Sequence, residues 1–125
     1  MERAVKSYRD LLAWQKAREL VKDVYLLTAA FPVGERFGLV SQMDRAAVSI
    51  PSNIAEGYGR ATTLDYLHFL RIARGSAYEL ETQLVLAEDL GLCGRELASK
   101  VGGTLQETIR LLQGLIAALE RKIEK

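Results

Sequence analysis

Apolar side chains recur every three or four residues along most of the chain, which is the period of an amphipathic α-helix. Four such segments are separated by short stretches, each of which contains or directly follows a proline or glycine. They predict four helices, at about 11–30, 35–59, 63–90 and 95–123. Asn-Gly and Asp-Gly turns are absent from the sequence, so a β-sheet has little support.

Residues at the segment ends support these limits. The stretch 31–34 stops the first helix, because the residue before proline avoids the α region and glycine breaks the pattern. Thr62 is the predicted N-cap of the third helix, and Gly91 follows its end. The short connections force antiparallel neighbours. The chain is therefore predicted to form one all-α domain over residues 1–125, an antiparallel up-down-up-down four-helix bundle.

Composition and charge narrow the classes of function. The chain is 49% hydrophobic and 26% charged, with a formal net charge of +1, as in an ordinary globular protein. That balance disfavours a dedicated polyanion binder, which needs a basic surface. No apolar stretch approaches the ~20 residues that cross a bilayer, and no signal-peptide pattern is seen. Cys93 is the single cysteine, so we expect a cytoplasmic protein without an intrachain disulfide.

The second helix contains a proline near its middle. Pro51 removes one backbone hydrogen bond and clashes with the carbonyl of Ala47, a cost that packing or function must offset. The side chain of Asn53, like the neighbouring serines, is a candidate to satisfy that carbonyl. We predict a kink at Pro51 that wraps the helix around the core or a neighbouring subunit. A ligand site at this point is the less favoured alternative.

Two glycines end the second helix, and an arginine follows them. Gly57 and Gly59 are predicted to form its C-terminal cap. The segment 57–60 follows a helix instead of opening one after a strand, so it is not a phosphate-binding loop. The alternative is an anion contact made by Arg60 together with the backbone amides of 62–63, at the start of the third helix.

Basic residues suggest one further surface and one ion pair. Arg71 and Arg74 share a face of the third helix and are candidate nucleic-acid contacts. Arg45 and Glu79 lie about equally far from the turn near residue 61, so we predict an interhelix ion pair between Arg45 and Glu79 or the nearby Glu81. On the first helix, bases alternate with acids, as on a solvated face: Lys16, Arg18, Glu19, Lys22 and Asp23.

Catalytic and metal-binding patterns are weak. Asp65 and His68 have the i, i+3 spacing of a carboxylate–histidine metal motif, but a di-iron bundle needs two such motifs and the chain has one histidine. Cys93 lies between glycines with no second histidine to activate it. We therefore expect no metal, no cofactor and no catalysis.

Several motifs resemble one protein family, in the family's order and spacing. The chain resembles the four-helix-bundle proteins encoded by intervening sequences within 23S ribosomal RNA genes. Asp44-Arg45 departs from the family pattern, which often has two adjacent basic residues at that point, and this weakens a nucleic-acid role for the pair. The matching stretches are 10–17, 31–39, 41–60, 65–84 and 87–92.

The resemblance implies an oligomeric, non-enzymatic protein. Members of the family are antiparallel bundles that form homopentameric rings, and no enzymatic activity is established for them. A related family of bundles serves as the accessory protein of a reverse transcriptase in diversity-generating retroelements, and binds nucleic acid as rings. The leading hypothesis is thus a self-assembling structural or adaptor module. The alternatives are an oligomeric accessory factor that binds RNA or a reverse transcriptase, and a metal-dependent bundle enzyme.

Apolar side chains in excess of one stripe per helix are compatible with self-association, and the family resemblance is what indicates a pentamer. Aromatic residues are enriched at protein interfaces, and an exposed patch of such side chains marks one. The candidates are Tyr25, Leu26, Tyr58, Tyr78 and Leu111.

Overall fold

The computed structural model describes residues 5–124 and contains four α-helices. No strand occurs among these residues. Short 3-10 turns at Tyr8–Asp10 and Val33–Glu35 precede the first and second helices. The helices are α1 (Leu12–Thr28), α2 (Leu39–Tyr58), α3 (Thr63–Asp89) and α4 (Arg95–Ile123).

The helix limits agree with the sequence pattern except at the connection between α1 and α2. Helix α1 ends at Thr28, and α2 begins at Leu39, four residues later than the predicted residue 35. The residues between them include the 3-10 turn Val33–Glu35. Gly38, with φ −105° and ψ −113°, then departs from helical geometry and serves as the N-cap of α2. The apolar spacing of this segment therefore continues through a turn, which periodicity alone does not distinguish from a helix.

Helix α3 ends in a Schellman motif, as the glycine after it predicts. Gly91 has φ +69°, and it is the one residue of the described chain in the left-handed region. The N–H of Leu92 donates to the carbonyl of Ala87 at 2.9 Å, and the N–H of Gly91 donates to that of Glu88 at 3.0 Å. These two bonds satisfy carbonyls that the end of the helix leaves free.

The four helices pack as a bundle in which each helix contacts two others. Helix α1 packs against α2 and α4, and α3 packs against α2 and α4, while no Cα atoms of α1 and α3, or of α2 and α4, approach within 8 Å in the described residues. Contacts between α3 and α4 run in opposite residue order. Arg71 meets Glu120, and Tyr78 meets Gln113.

The core lies along the bundle axis and consists of aliphatic side chains. Burying one such side chain stabilises the fold by about 1.5–3 kcal/mol. Small residues on α2 and α3, including Ala47, Ala73 and Ala77, are fully buried and allow the two helices to approach closely. The largest fully buried side chains include Leu20, Leu27, Ile50, Ile54, Leu70, Leu80, Leu105, Leu112 and Ile116.

Gly57 has a packing role instead of the predicted capping role. It lies in the last turn of α2 and is buried against α3. A Cβ atom built at Gly57 would lie 2.8 Å from the Cβ of Phe69 and 3.1 Å from the carbonyl oxygen of Tyr66. Gly59 is the C-cap residue, but its φ of −79° is right-handed and open to any residue. Of these two glycines, only Gly57 therefore requires the absence of a side chain.

Candidate functional site

The three arginines proposed as anion contacts differ in what surrounds them. The guanidinium of Arg71 donates to Glu120 of α4 at 2.9 Å. Arg60 lies 4.5 Å above the ring of Phe69, with the Glu56 carboxylate 3.9 Å from its guanidinium. Arg74 is half-buried and takes part in no ion pair of the described chain. Two of the three therefore face a carboxylate, which an incoming phosphate would have to displace.

The start of α3, the other half of the predicted anion contact, is already capped. The Thr62 hydroxyl accepts a hydrogen bond from the N–H of Asp65 at 3.1 Å. Asp65 also places an acid in the first turn, where it complements the positive end of the helix. An anion at this terminus would meet that negative charge.

Asn53 satisfies a different carbonyl from the one predicted. Its Nδ2 donates to the carbonyl of Ser49 at 2.8 Å and to the Ser49 hydroxyl at 3.0 Å, not to Ala47. The Ser49 hydroxyl is 2.8 Å from that of Ser76 on α3. Helix α2 continues through Pro51, and the kink there stays a prediction. The polar residues around the proline thus link α2 to α3.

Arg45 and Glu79 lie on one groove between α2 and α3, but no ion pair joins them. Glu79 instead accepts a hydrogen bond from Gln83 at 3.4 Å, and Glu81 accepts one from Gln106. An exposed ion pair contributes only ~0–1 kcal/mol, which is too little to fix two flexible side chains. The sequence correctly placed Arg45 near Glu79, but this proximity does not by itself produce an ion pair.

A groove lies between α1 and α2, and the sequence pattern alone did not reveal it. It has a volume of about 600 Å³ next to the 3-10 turn before α1. A second depression continues it along the same two helices and shares Val48 with it. We call the two together the α1–α2 groove. Apolar side chains form much of its floor: Trp14, Val21, Val48, Pro51 and Ala55.

The rim of the α1–α2 groove is basic. Arg18, Lys22 and Arg45 line it, and no ion pair of residues 5–124 involves any of the three. One acid, Asp44, lies on the groove. Its carboxylate accepts a hydrogen bond from Thr28 at 2.8 Å, and burial raises its pKa while that bond opposes the rise.

The acids that alternate with these bases along α1 point elsewhere. Glu19 pairs with Lys16 at 2.9 Å. Asp23 is buried, accepts a hydrogen bond from Thr104 at 2.7 Å and faces α4. Arg18, Glu19 and Lys22 are exposed, as expected of a solvated face, but Asp23 is buried, because residues adjacent in sequence lie on different sides of a helix. The groove is therefore lined by Arg18 and Lys22 of α1, and not by the acids Glu19 and Asp23.

Trp14 is the aromatic centre at one end of the groove. Tyr8 packs edge-on against it, with ring centroids 5.2 Å apart. The guanidinium groups of Arg9 and Arg18 each lie 5.7 Å from the centre of the indole ring. These contacts hold the two cations beside an apolar surface, an arrangement suited to a partner that is both acidic and apolar.

A second exposed surface lies on the C-terminal half of α3. Its residues recur at i, i+4, i+7, i+8 and i+11, so they form one stripe on the helix. We call the stripe the α3 face. Its apolar members are exposed, with 42% of Tyr78, 53% of Val85 and 46% of Leu86 accessible. The α3 face comprises Tyr78, Thr82, Val85, Leu86 and Asp89, all of them exposed.

The α3 face lies in an acidic part of the chain. Residues 75–94 contain four acids and no lysine or arginine. Of these acids, Glu79, Glu88 and Asp89 are exposed. The α3 face thus has the charge opposite to that of the α1–α2 groove.

The remaining reactive residues lack catalytic surroundings. His68 packs edge-on against Phe69, with ring centroids 5.5 Å apart. Burial raises the pKa of the Cys93 thiol, and the Glu88 carboxylate raises it further, which disfavours the nucleophilic thiolate. Within residues 5–124, no group of three histidine, cysteine or acidic side chains is placed to hold a metal ion. The described helices also include none with the length and apolar character needed to cross a bilayer.

Tyr66, beside Gly57, should make stability depend on pH in alkaline solution. Its ring meets that of Tyr58 edge-on at 6.0 Å, and burial, with a smaller contribution from Tyr58, raises the pKa of Tyr66 to about 12. The unfolded chain would ionise this residue near pH 10. Its contribution to stability is therefore complete below about pH 10 and is lost as pH rises toward 12.

A titration of tyrosinate absorbance would test this expectation. We expect one late ionisation in the native protein, at about pH 12, that disappears in Tyr66→Phe. Tyr25→Phe, at an exposed site, should retain the late step. A native titration in which every tyrosine ionises near pH 10 would contradict the assignment.

The fold and its surfaces define a four-helix-bundle protein with an apolar, basic groove and an exposed apolar, acidic helix face. Residues 9–114 match the family model described as 23S rRNA-intervening sequence protein. The chain belongs to that family, and the resemblance seen in the sequence is confirmed.

The fold is similar to that of a solved structure. It is the crystal structure, at 1.70 Å resolution, of a protein with unknown function from the S23 ribosomal protein family of Bacteroides thetaiotaomicron. The two share 24% sequence identity and a TM-score of 0.78, over 85% of this chain and 96% of that chain. No curated protein matches the chain.

Proposed function

We propose that this protein is a non-catalytic, self-assembling module of the 23S rRNA-intervening sequence protein family. It acts in the cytoplasm as a structural or adaptor component, and its working form is a homopentamer. The observation that carries the proposal is the α3 face. Tyr78, Val85 and Leu86 each leave more than two-fifths of their surface accessible on one helical stripe, which a soluble bundle would normally cover.

Outside the α1–α2 groove, the charge distribution supports binding to protein more than to nucleic acid. Phosphate contacts need basic groups free to release counterions. Arg71 and Arg60 each have a carboxylate within 4 Å. The exposed acids of residues 75–94 would also repel a polyanion. The nucleic-acid-binding accessory factor is therefore the second candidate.

Size exclusion coupled to light scattering, with and without structured RNA, tests the proposal. We expect a particle several times heavier than 13.9 kDa whose mass does not change on addition of RNA in 50 or 200 mM salt. A complex with RNA that weakens steeply as salt rises would favour the second candidate. In that case Arg60, Arg71 and Arg74 would be the first residues to replace.

A further inference from the structure

We infer that the α1–α2 groove of one copy binds the α3 face of a second copy, so that the subunits associate head to tail. The inference rests on the proposed self-assembly and names the two surfaces that carry it. The residues of the α3 face are all exposed, on the side of α3 away from the core. The face is therefore available to a neighbouring molecule.

The shapes of the two surfaces are complementary. A groove between two packed helices with an apolar floor accepts one further amphipathic helix, which anchors it through side chains at i, i+4 and i+7. The α3 face offers that pattern in Tyr78, Thr82 and Val85, with Leu86 beside them. The groove floor offers the partly buried Trp14 and the exposed Val48 to receive them.

The charges are complementary as well. Arg18, Lys22 and Arg45 on the groove have no ion-pair partner in the described chain. Glu88 and Asp89, at the end of the α3 face, have none either. Opposite charges on facing rims set the register of an interface, and like charges facing each other there oppose association.

The interface is heterologous, because one copy contributes its α1–α2 groove and the other contributes its α3 face. Each copy that fills a neighbour's groove leaves its own groove open for another copy. Repetition of one such contact closes a ring when the rotation between subunits allows it, and otherwise extends a filament. A closed pentamer therefore needs one groove and one α3 face from every subunit.

A charge-swap experiment tests the pairing. The variant Arg18→Glu/Lys22→Glu reverses the groove rim, and Glu88→Lys/Asp89→Lys reverses the α3 face. Each alone places like charges in contact, so we expect assembly to weaken at least ~10-fold, as measured by the concentration at which light scattering shows dissociation. The chain that carries all four changes restores opposite charges at every contact and should recover most of that loss.

Controls separate this interface from charge and folding effects. Arg121→Glu/Lys122→Glu changes the net charge as the groove variant does, but at exposed residues on the end of α4, and should assemble normally. The neutral pair Arg18→Gln/Lys22→Gln should weaken assembly less than the reversal. Thermal unfolding followed by circular dichroism confirms that each variant is folded.

The outcomes test self-assembly and the pairing of the two surfaces separately. A native protein that is monomeric would overturn the proposed self-assembly. A native oligomer that is indifferent to both reversals would leave self-assembly standing and overturn this pairing of surfaces. Folded single variants that dissociate while the four-change chain also stays dissociated would overturn the pairing too, because the two sites would then belong to separate contacts.

Discussion

Replacing Gly57 with alanine is expected to lower the free energy of unfolding by ~1–3 kcal/mol, the usual cost of overpacking a well-packed core. The added methyl would lie 2.8 Å from the Cβ of Phe69 and 3.1 Å from the backbone oxygen of Tyr66. Neither atom belongs to the free end of a flexible side chain, so α2 and α3 would have to move apart. This cost exceeds the gain of about 1 kcal/mol that alanine brings to a helix interior.

Gly103→Ala provides the matched control for that experiment. Gly103 is exposed within α4, and a Cβ atom there meets nothing within 4 Å. The substitution should therefore stabilise the protein by ~0.5–1 kcal/mol through helix propensity alone. Both variants would be compared with the native protein by urea unfolding. If Gly57→Ala stabilised the protein as much as Gly103→Ala, the close approach of α2 and α3 would be refuted.

Replacing Thr104 with valine is the second change with a large expected effect. The side chain of Asp23 is 6% exposed, and the Thr104 hydroxyl donates to it at 2.7 Å. Valine keeps the shape and removes the donor, which leaves the carboxylate with Lys100, whose ammonium lies 3.8 Å away and is largely exposed. We expect a loss of ~1–3 kcal/mol, the cost of an unsatisfied buried polar group.

Thr104→Ser separates the hydrogen bond from the packing, because serine retains the hydroxyl. It should cost clearly less than valine in the same urea experiment. Asp23→Ala combined with Thr104→Val should cost less than the two single changes added together, as expected for groups that act on each other. A valine variant within ~0.5 kcal/mol of the native protein would show that the bond contributes nothing.

Much of the fold could be predicted because hydrophobic periodicity and helix-end residues agree. Helices α3 and α4 lie within one residue of their predicted limits, since Thr62 and Gly91 mark ends where the apolar pattern also stops. The start of α2 was missed because Phe37 continues the apolar spacing although it is 90% exposed in a turn. Periodicity reports spacing, and burial depends on packing that only the folded chain provides.

The polar contacts were less predictable than the helices. The register placed Arg45 level with Glu79, and the structure does put both on one groove, but free rotation of exposed side chains decides whether they pair. Asn53 was assigned to the wrong carbonyl, because the choice between Ala47 and Ser49 depends on side-chain geometry. Sequence spacing therefore predicts which residues lie near a polar group, but not which of them it bonds.

The α1–α2 groove was missed although its residues carry a readable signal. Trp14, Arg18, Val21, Lys22 and Tyr25 recur at the same spacing as the α3 face, and this stripe combines apolar and basic residues. The alternating acids of α1 concealed it in the linear sequence. Sorting charges by helical face instead of by order along the chain separates the two sets.

Native mass spectrometry of the purified protein tests the central claim most directly, because it counts subunits. The account predicts a dominant species near five times 13.9 kDa that persists at low micromolar concentration. A protein that stays at 13.9 kDa at every concentration would contradict self-assembly, and the apolar α3 face would then need another partner.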